Sequence, residues 1–271
     1  MRGVLAALAL LASAREGPPP SEAFLPEGNA LVRSMLGRQR AREEALNRYT
    51  YDVMVTNEHL DGQGRVTKRE SEAFEVFYVK GLALRRLTAR DGRPLDAKAQ
   101  AREDAAVREK VDRIREGRVA REQPGVRLSQ ILERYDFRTV SRELSEGRSV
   151  LLLEFQPLPG KRDLERDNVL RALKGRLLVD EAEAAVLRAE LQNTQGIKFA
   201  LGLGASLRSL NLVLDFGRME DGVWLPLRVE TAFQGRMLLF KSFRRRQTTT
   251  FSNFRRFSAD TEERYDTHVP G

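Results

Sequence analysis

Apolar residues in the first third of the chain recur first with a helical period and then with a strand period. Between Glu27 and Arg48, Leu31, Val32, Met35, Leu36, Ala45 and Leu46 recur at helical spacing among charged residues, which predicts an amphipathic helix. Tyr49 changes the period. In YTYDVMVTNEHL, Tyr49, Tyr51, Val53 and Val55 alternate with Thr50, Asp52, Met54 and Thr56, as in a strand with one buried face. Asp61–Gly64 (DGQG) is a hairpin turn signal, and the return passes through Phe74, Val76 and Tyr78 to Lys80-Gly81. LALRRLTA then forms another strand, ended by Asp91-Gly92.

The stretch 93–134 has a different character. Arg93–Gly117 reads as one long, charged, Ala-rich helix with Val107, Val111 and Ile114 on one face, stopped by Gly117, and Leu128–Arg134 forms a second, short helix. From Tyr135 onward strands dominate: FRTVSREL, SVLLLEFQ, GRLLVD, AVLRAELQ, KFALGLG, LRSLNLVLDF, VWLPLRVETAF, RMLLFKSF and TTTFSNFRRF. Turn residues separate them at Glu146-Gly147, Pro157–Gly160, Glu181–Ala184, Asn193–Gly196, Glu220–Gly222 and Gly235, with a short helix expected within Lys161–Leu173. Strands joined by short hairpins make an antiparallel meander, so the class is α+β. In VWLPLRVETAF, Val223, Leu225, Leu227, Val229 and Phe233 share one face. Leu212, Leu214 and Phe216 make a similar stripe, as do Leu151, Leu153 and Phe155. These eleven residues are the candidate lining of an apolar concavity. A filled core has the same pattern.

The ends refine the picture. Met1-Arg2, the apolar run Val4–Ala12 and the small-x-small sequence Ala12-Ser13-Ala14 have the form of a cleaved secretory signal peptide over residues 1–14. Nine apolar residues rise about 14 Å as a helix, short of the roughly 30 Å hydrocarbon core. Residues 15–26 are a Pro-rich lead, 27–257 the folded domain, and 258–271 a polar tail. The expected location is the periplasm.

The chain has no cysteine, which excludes disulfides, thiolate metal sites, a cysteine nucleophile and a lipid anchor on cysteine. Its formal charge is +8, and Arg2 is the only charge in residues 1–14, so the exported chain carries +7. Arginine supplies most of the positive charge, interleaved with acids. With export, this points away from nucleic acid and toward anionic lipid head groups. Neither histidine, His59 nor His268, sits in a metal or nucleophile pattern, and no G-x-S-x-G, H-E-x-x-H, Walker or EF-hand sequence occurs. Gly202-Leu203-Gly204 resembles the start of a phosphate loop, but Leu207 stands where the third glycine belongs. The reading is of a non-catalytic protein without cofactor or metal.

GRLLVDEAEAAVLRAEL then carries a resemblance, through Gly175, Leu177, Val179, Asp180, Leu187, Arg188 and Glu190. With FEVFYVKG, DGVWLPLRVE and FSNFRRF, it is similar to the outer-membrane lipoprotein-sorting superfamily of LolA, LolB and RseB-like proteins over roughly Ala30–Phe257. The resemblance implies a strongly curved antiparallel sheet, an unclosed barrel, with an N-terminal helix and inserted helices covering its concave face. It implies a carrier whose partners are lipid or lipoprotein acyl chains. The alternatives are an RseB-like sensor that engages an envelope membrane protein, and a structural envelope protein with a filled core.

Overall fold

A computed structural model describes residues 24–118, 127–158, 170–198, 206–237 and 241–256. The signal-like segment, the lead up to residue 23, most of the helix expected within 161–173, Gly202–Gly204 and the tail with His268 lie outside the described residues. Helix α1 (Gly28–Ala45) runs through a 3-10 turn into β1 (Tyr49–Leu60), β2 (Val66–Val79), β3 (Leu82–Arg90) and the two-residue β4 (Arg93–Pro94). Helices α2 (Ala97–Arg115) and α3 (Leu128–Arg134) precede β5 (Tyr135–Ser145), β6 (Arg148–Pro157), β7 (Leu173–Asp180) and β8 (Ala185–Asn193). The chain closes with β9 (Ile197–Lys198), β10 (Ser206–Arg218), β11 (Trp224–Met237) and β12 (Lys241–Arg256).

All strands belong to one antiparallel sheet in the order β4-β3-β2-β1-β12-β11-β10-β8-β7-β6-β5, with β9 beside β10. Among the described residues its two end strands do not pair, so the sheet stays unclosed. Register shifts in six of the strand pairs supply the bend, because an extra residue on one strand bends it and raises its twist. The α+β class and the curved, open sheet are those expected. Two boundaries differ. Arg93-Pro94 pairs with β3, so α2 starts only at Ala97, where the Asp96 carboxylate accepts from the Ala99 N–H. Gly235 is no turn: it lies within β11, opposite Phe243.

Residues paired across strands share a face, and one row crosses the sheet: Glu72, Val55, Thr249, Val229, Leu214, Ala189, Leu177, Leu153 and Thr139. Over the β5–β8 part of this face lie α1, with Val32 and Met35, and α3, with Leu128, Ile131 and Leu132. They close a core on Leu151, Leu153, Leu177, Val179 and Ala189. A second cluster on the same face holds Tyr49, Tyr51, Val53, Val55 and Val76 of β1 and β2. Helix α2 lies elsewhere. Its Val107, Val111 and Ile114 pack on Phe77, Val79, Leu82 and Leu84. Phe77 is one residue out of phase with Val76, so α2 covers the opposite face, while α1 and α3 occupy the expected one. That opposite, outer face otherwise carries an ion-pair ladder in which Arg138 and Arg176 share Glu154, and Arg188 spans Glu190 and Asp215.

An open sheet presents unpaired edges, and helix-borne side chains cap both. Asn29 of α1 accepts from the Phe137 N–H of β5 at 2.8 Å and donates to the Asp136 carboxylate at 2.7 Å. Gly28 touches the same backbone so closely that a Cβ would overlap the Phe137 carbonyl. At the other edge Glu103 of α2 accepts from the Leu87 N–H at 2.9 Å. Asn29→Ala is expected to cost about 1–2 kcal/mol, because it strands the Phe137 donor. A lowered urea midpoint with unchanged slope would show it.

Candidate functional site

The row's burial changes along its length. Leu153, Leu177 and Ala189 are fully buried at 0% exposure. From β10 onward the same face is only half-buried, at Leu210, Leu212, Leu214 and Phe216 of β10 and at Val229 and Phe233 of β11. The β10 residues pack on the margin of the α1 core, whereas Val229 and Phe233 belong to none of the three buried clusters. Phe233 meets Phe243 edge-to-face at 6.0 Å between ring centroids. From Leu210 to Phe216 the strip runs about 20 Å at strand rise. It is an open strip between two closed cores.

The candidate lining residues divide accordingly. Leu151, Leu153 and Phe155 are sealed beneath α1 and α3. Leu212, Leu214, Phe216, Val229 and Phe233 come together on the strip. Val223 and Leu225 join the β1–β2 cluster, with Leu225 fully buried. A bulge separates the two groups. Asp215 pairs with Arg228 but Phe216 pairs with Pro226, so Leu227 is the extra residue on β11. The alternation that puts Leu225, Leu227 and Val229 on one face therefore breaks at Leu227, which is 38% exposed and lies over Gly217.

One end of the sheet is fastened by polar contacts. Glu183, in the β7–β8 turn, accepts from the Trp224 indole at 2.6 Å, from Arg148 at 3.2 Å and from Arg218 at 3.2 Å. The indole bond, more than either guanidinium, holds its carboxyl below the usual range. Arg148 also reaches the buried Asp180 at 2.9 Å and lies 6.0 Å over the Trp224 ring. Arg42 at the end of α1 donates to the Glu183 and Ala184 carbonyls. On the next turn Asp221 accepts from the Tyr49 hydroxyl. Burial first and this bond second push the Tyr49 pKa up to about 12. Nothing in the residue pattern marks this fastening, since a turn glutamate reads as solvated.

A groove of about 670 Å³ is lined by outer-ladder residues such as Arg138, Glu154, Arg176 and Glu190, with Phe155, Leu191, Leu212 and Val213 among them. Among the described residues no group of three or more His, Asp or Glu is placed to hold a metal ion. No described helix is long and apolar enough to cross a membrane.

No family model matches the chain, and no curated protein matches it. Several solved structures are similar to it, among them the following three. An outer membrane lipoprotein-sorting protein domain from Vibrio parahaemolyticus is 12% identical, with 88% of this chain and 97% of that one covered at a TM-score of 0.40. A DUF1329 family protein from Desulfovibrio piger is also 12% identical, with 86% and 95% covered at 0.37. MucB is 14% identical, with 85% and 96% covered at 0.23.

Proposed function

We propose that this protein is a periplasmic carrier that holds an acyl chain, of a lipid or a lipoprotein, along the half-buried strip of β10 and β11. The observation that carries this reading is the strip itself. Six apolar side chains on one face are left half-covered between two cores that are otherwise closed. An acyl chain laid along them would hide from water at about 0.8 kcal/mol per buried methylene. The strip's length of about 20 Å exceeds half the roughly 30 Å hydrocarbon core, the depth one leaflet gives an acyl chain. The signal-like residues 1–14 support an envelope location.

The test is titration with a fluorescent fatty acid in the absence of membranes. The wild type is expected to bind the probe. Leu214→Gln and Val229→Gln should each weaken binding by about tenfold, or about 1.4 kcal/mol, while the far-ultraviolet circular dichroism is kept. Met54→Gln, at a 51% exposed position on the outer face, should leave binding unchanged. A wild type that ignores the probe, or equal losses in all three variants, would return the strip to ordinary packing.

A further inference from the structure

The end of the sheet away from Glu183 brings together the β1–β2 turn, the start of β10, the end of β11 and the start of β12. Ser206 pairs with Arg236, Phe233 with Arg245, and Arg245 with His59. Charge is concentrated here. Residues 57–70, 206–211 and 233–247 hold nine Lys and Arg against three Asp and Glu, a net +6 of the chain's formal +8. Helix α2 and its cap, residues 97–116, hold six basic against five acidic side chains. The three acids at the sheet end are already engaged. Glu58 takes both Arg69 and Arg246, Asp61 takes Arg65, and Glu70 takes Lys68. Arg208, Arg236 and Arg245 are exposed and have no acidic partner among the described residues. Arg208, Arg236 and Arg244 surround a depression of about 210 Å³ with Phe243 in its wall. Arg244 is held there by Gln234 at 3.0 Å. Val66, 43% exposed, adds an apolar group at the same tip.

We propose that this end docks on an anionic phospholipid bilayer. Unneutralised guanidiniums beside an exposed apolar tip match a surface of phosphates over hydrocarbon. The placement bears on the acyl strip. Arg245 stands directly across from Phe233, the last strip residue toward this end, so docking would present the strip's end to the leaflet. The proposal deepens the acyl-carrier reading by naming where lipid is met, yet its test is independent of that reading.

The full exported chain is sedimented with vesicles of phosphatidylcholine alone and with about 30% phosphatidylglycerol. Binding is expected only to the anionic vesicles, and it should be lost between about 0.05 M and about 0.5 M salt, as the screening length shortens. The triple substitution Arg208→Gln, Arg236→Gln and Arg245→Gln should lower partitioning by about 100-fold, at roughly fivefold per arginine. It should bind the fluorescent fatty acid as the wild type does. The charge-matched control Arg102→Gln, Arg108→Gln and Arg113→Gln on α2 should change vesicle binding little. Equal losses in both triples would mean that only net charge matters, and would overturn the site. So would equal binding to neutral vesicles, or displacement of the protein from vesicles by a short DNA duplex. If Leu214→Gln leaves probe binding intact while the arginine triple abolishes vesicle binding, the acyl reading fails and the docking surface stands.

Discussion

Gly175→Ala is expected to destabilise the fold by about 3 kcal/mol, toward the upper end for an overpacked core position. Gly175 sits mid-strand in β7, paired with Phe155 on one side and Leu191 on the other. A Cβ there would overlap the Glu190 carbonyl oxygen and stand 2.7 Å from the tip of the Phe155 ring. The obstacle is partly backbone, so relief requires moving β8 against β7. Gly217→Ala is the control. Its Cβ would also collide, but only with the Leu227 side chain, which is part-exposed and free to swing away. It should cost about 1 kcal/mol or less. Urea unfolding of both variants checks the contrast. Similar midpoints would show that the sheet at Gly175 is more pliant than the close approach implies. The same contact explains why a glycine opens the GRLLVD segment: the neighbouring Glu190 backbone and Phe155 ring leave no room for a side chain.

Leu153→Ala and Leu214→Ala, at two leucines of the same row that share their chemistry but not their environment, should separate by about 2 kcal/mol or more. Leu153 is fully buried beneath α1 and α3, and truncation leaves a cavity the helices cannot refill, at about 3–4 kcal/mol. Leu214 is half-buried at the margin of that core and should cost about 1 kcal/mol. Thermal unfolding followed by near-ultraviolet circular dichroism measures both. Equal large losses would show that the β10 strip is packed as tightly as the core under α1, leaving no surface for an acyl chain.

The alternations in β1 and β10 placed Tyr51, Val53, Leu212 and Leu214 on one face without error, because neither pattern is interrupted across those residues. The break at Leu227 was invisible. A bulge adds one residue, and the stretch from Val223 to Val229 has apolar side chains at every odd position, so nothing in it marks the change of phase. The position of α2 was hidden for a related reason. Val76 and Phe77 are adjacent and both apolar, and only the register with β1 shows that they serve different faces. Gly235 read as a turn because it is a glycine between the two apolar strand patterns VWLPLRVETAF and RMLLFKSF. In fact Arg244–Thr250 pairs continuously with β11. The partnership of β1 with β12 has no local signal, since about 190 residues separate Asn57 from Gln247.

That partnership has a consequence for how the protein comes into being. The last strand is inserted between β1 and β11, in the interior of the sheet. Until it arrives, β1–β4 and β5–β11 are two separate sheets, each with an extra unsatisfied edge. A chain emerging N-terminus first from the ribosome therefore cannot complete its native pairing until its final strand has been made. Closure over so long a sequence separation is a slow step. Through that interval the β1 and β11 edges stand open, and it is then that a chaperone would have most to protect.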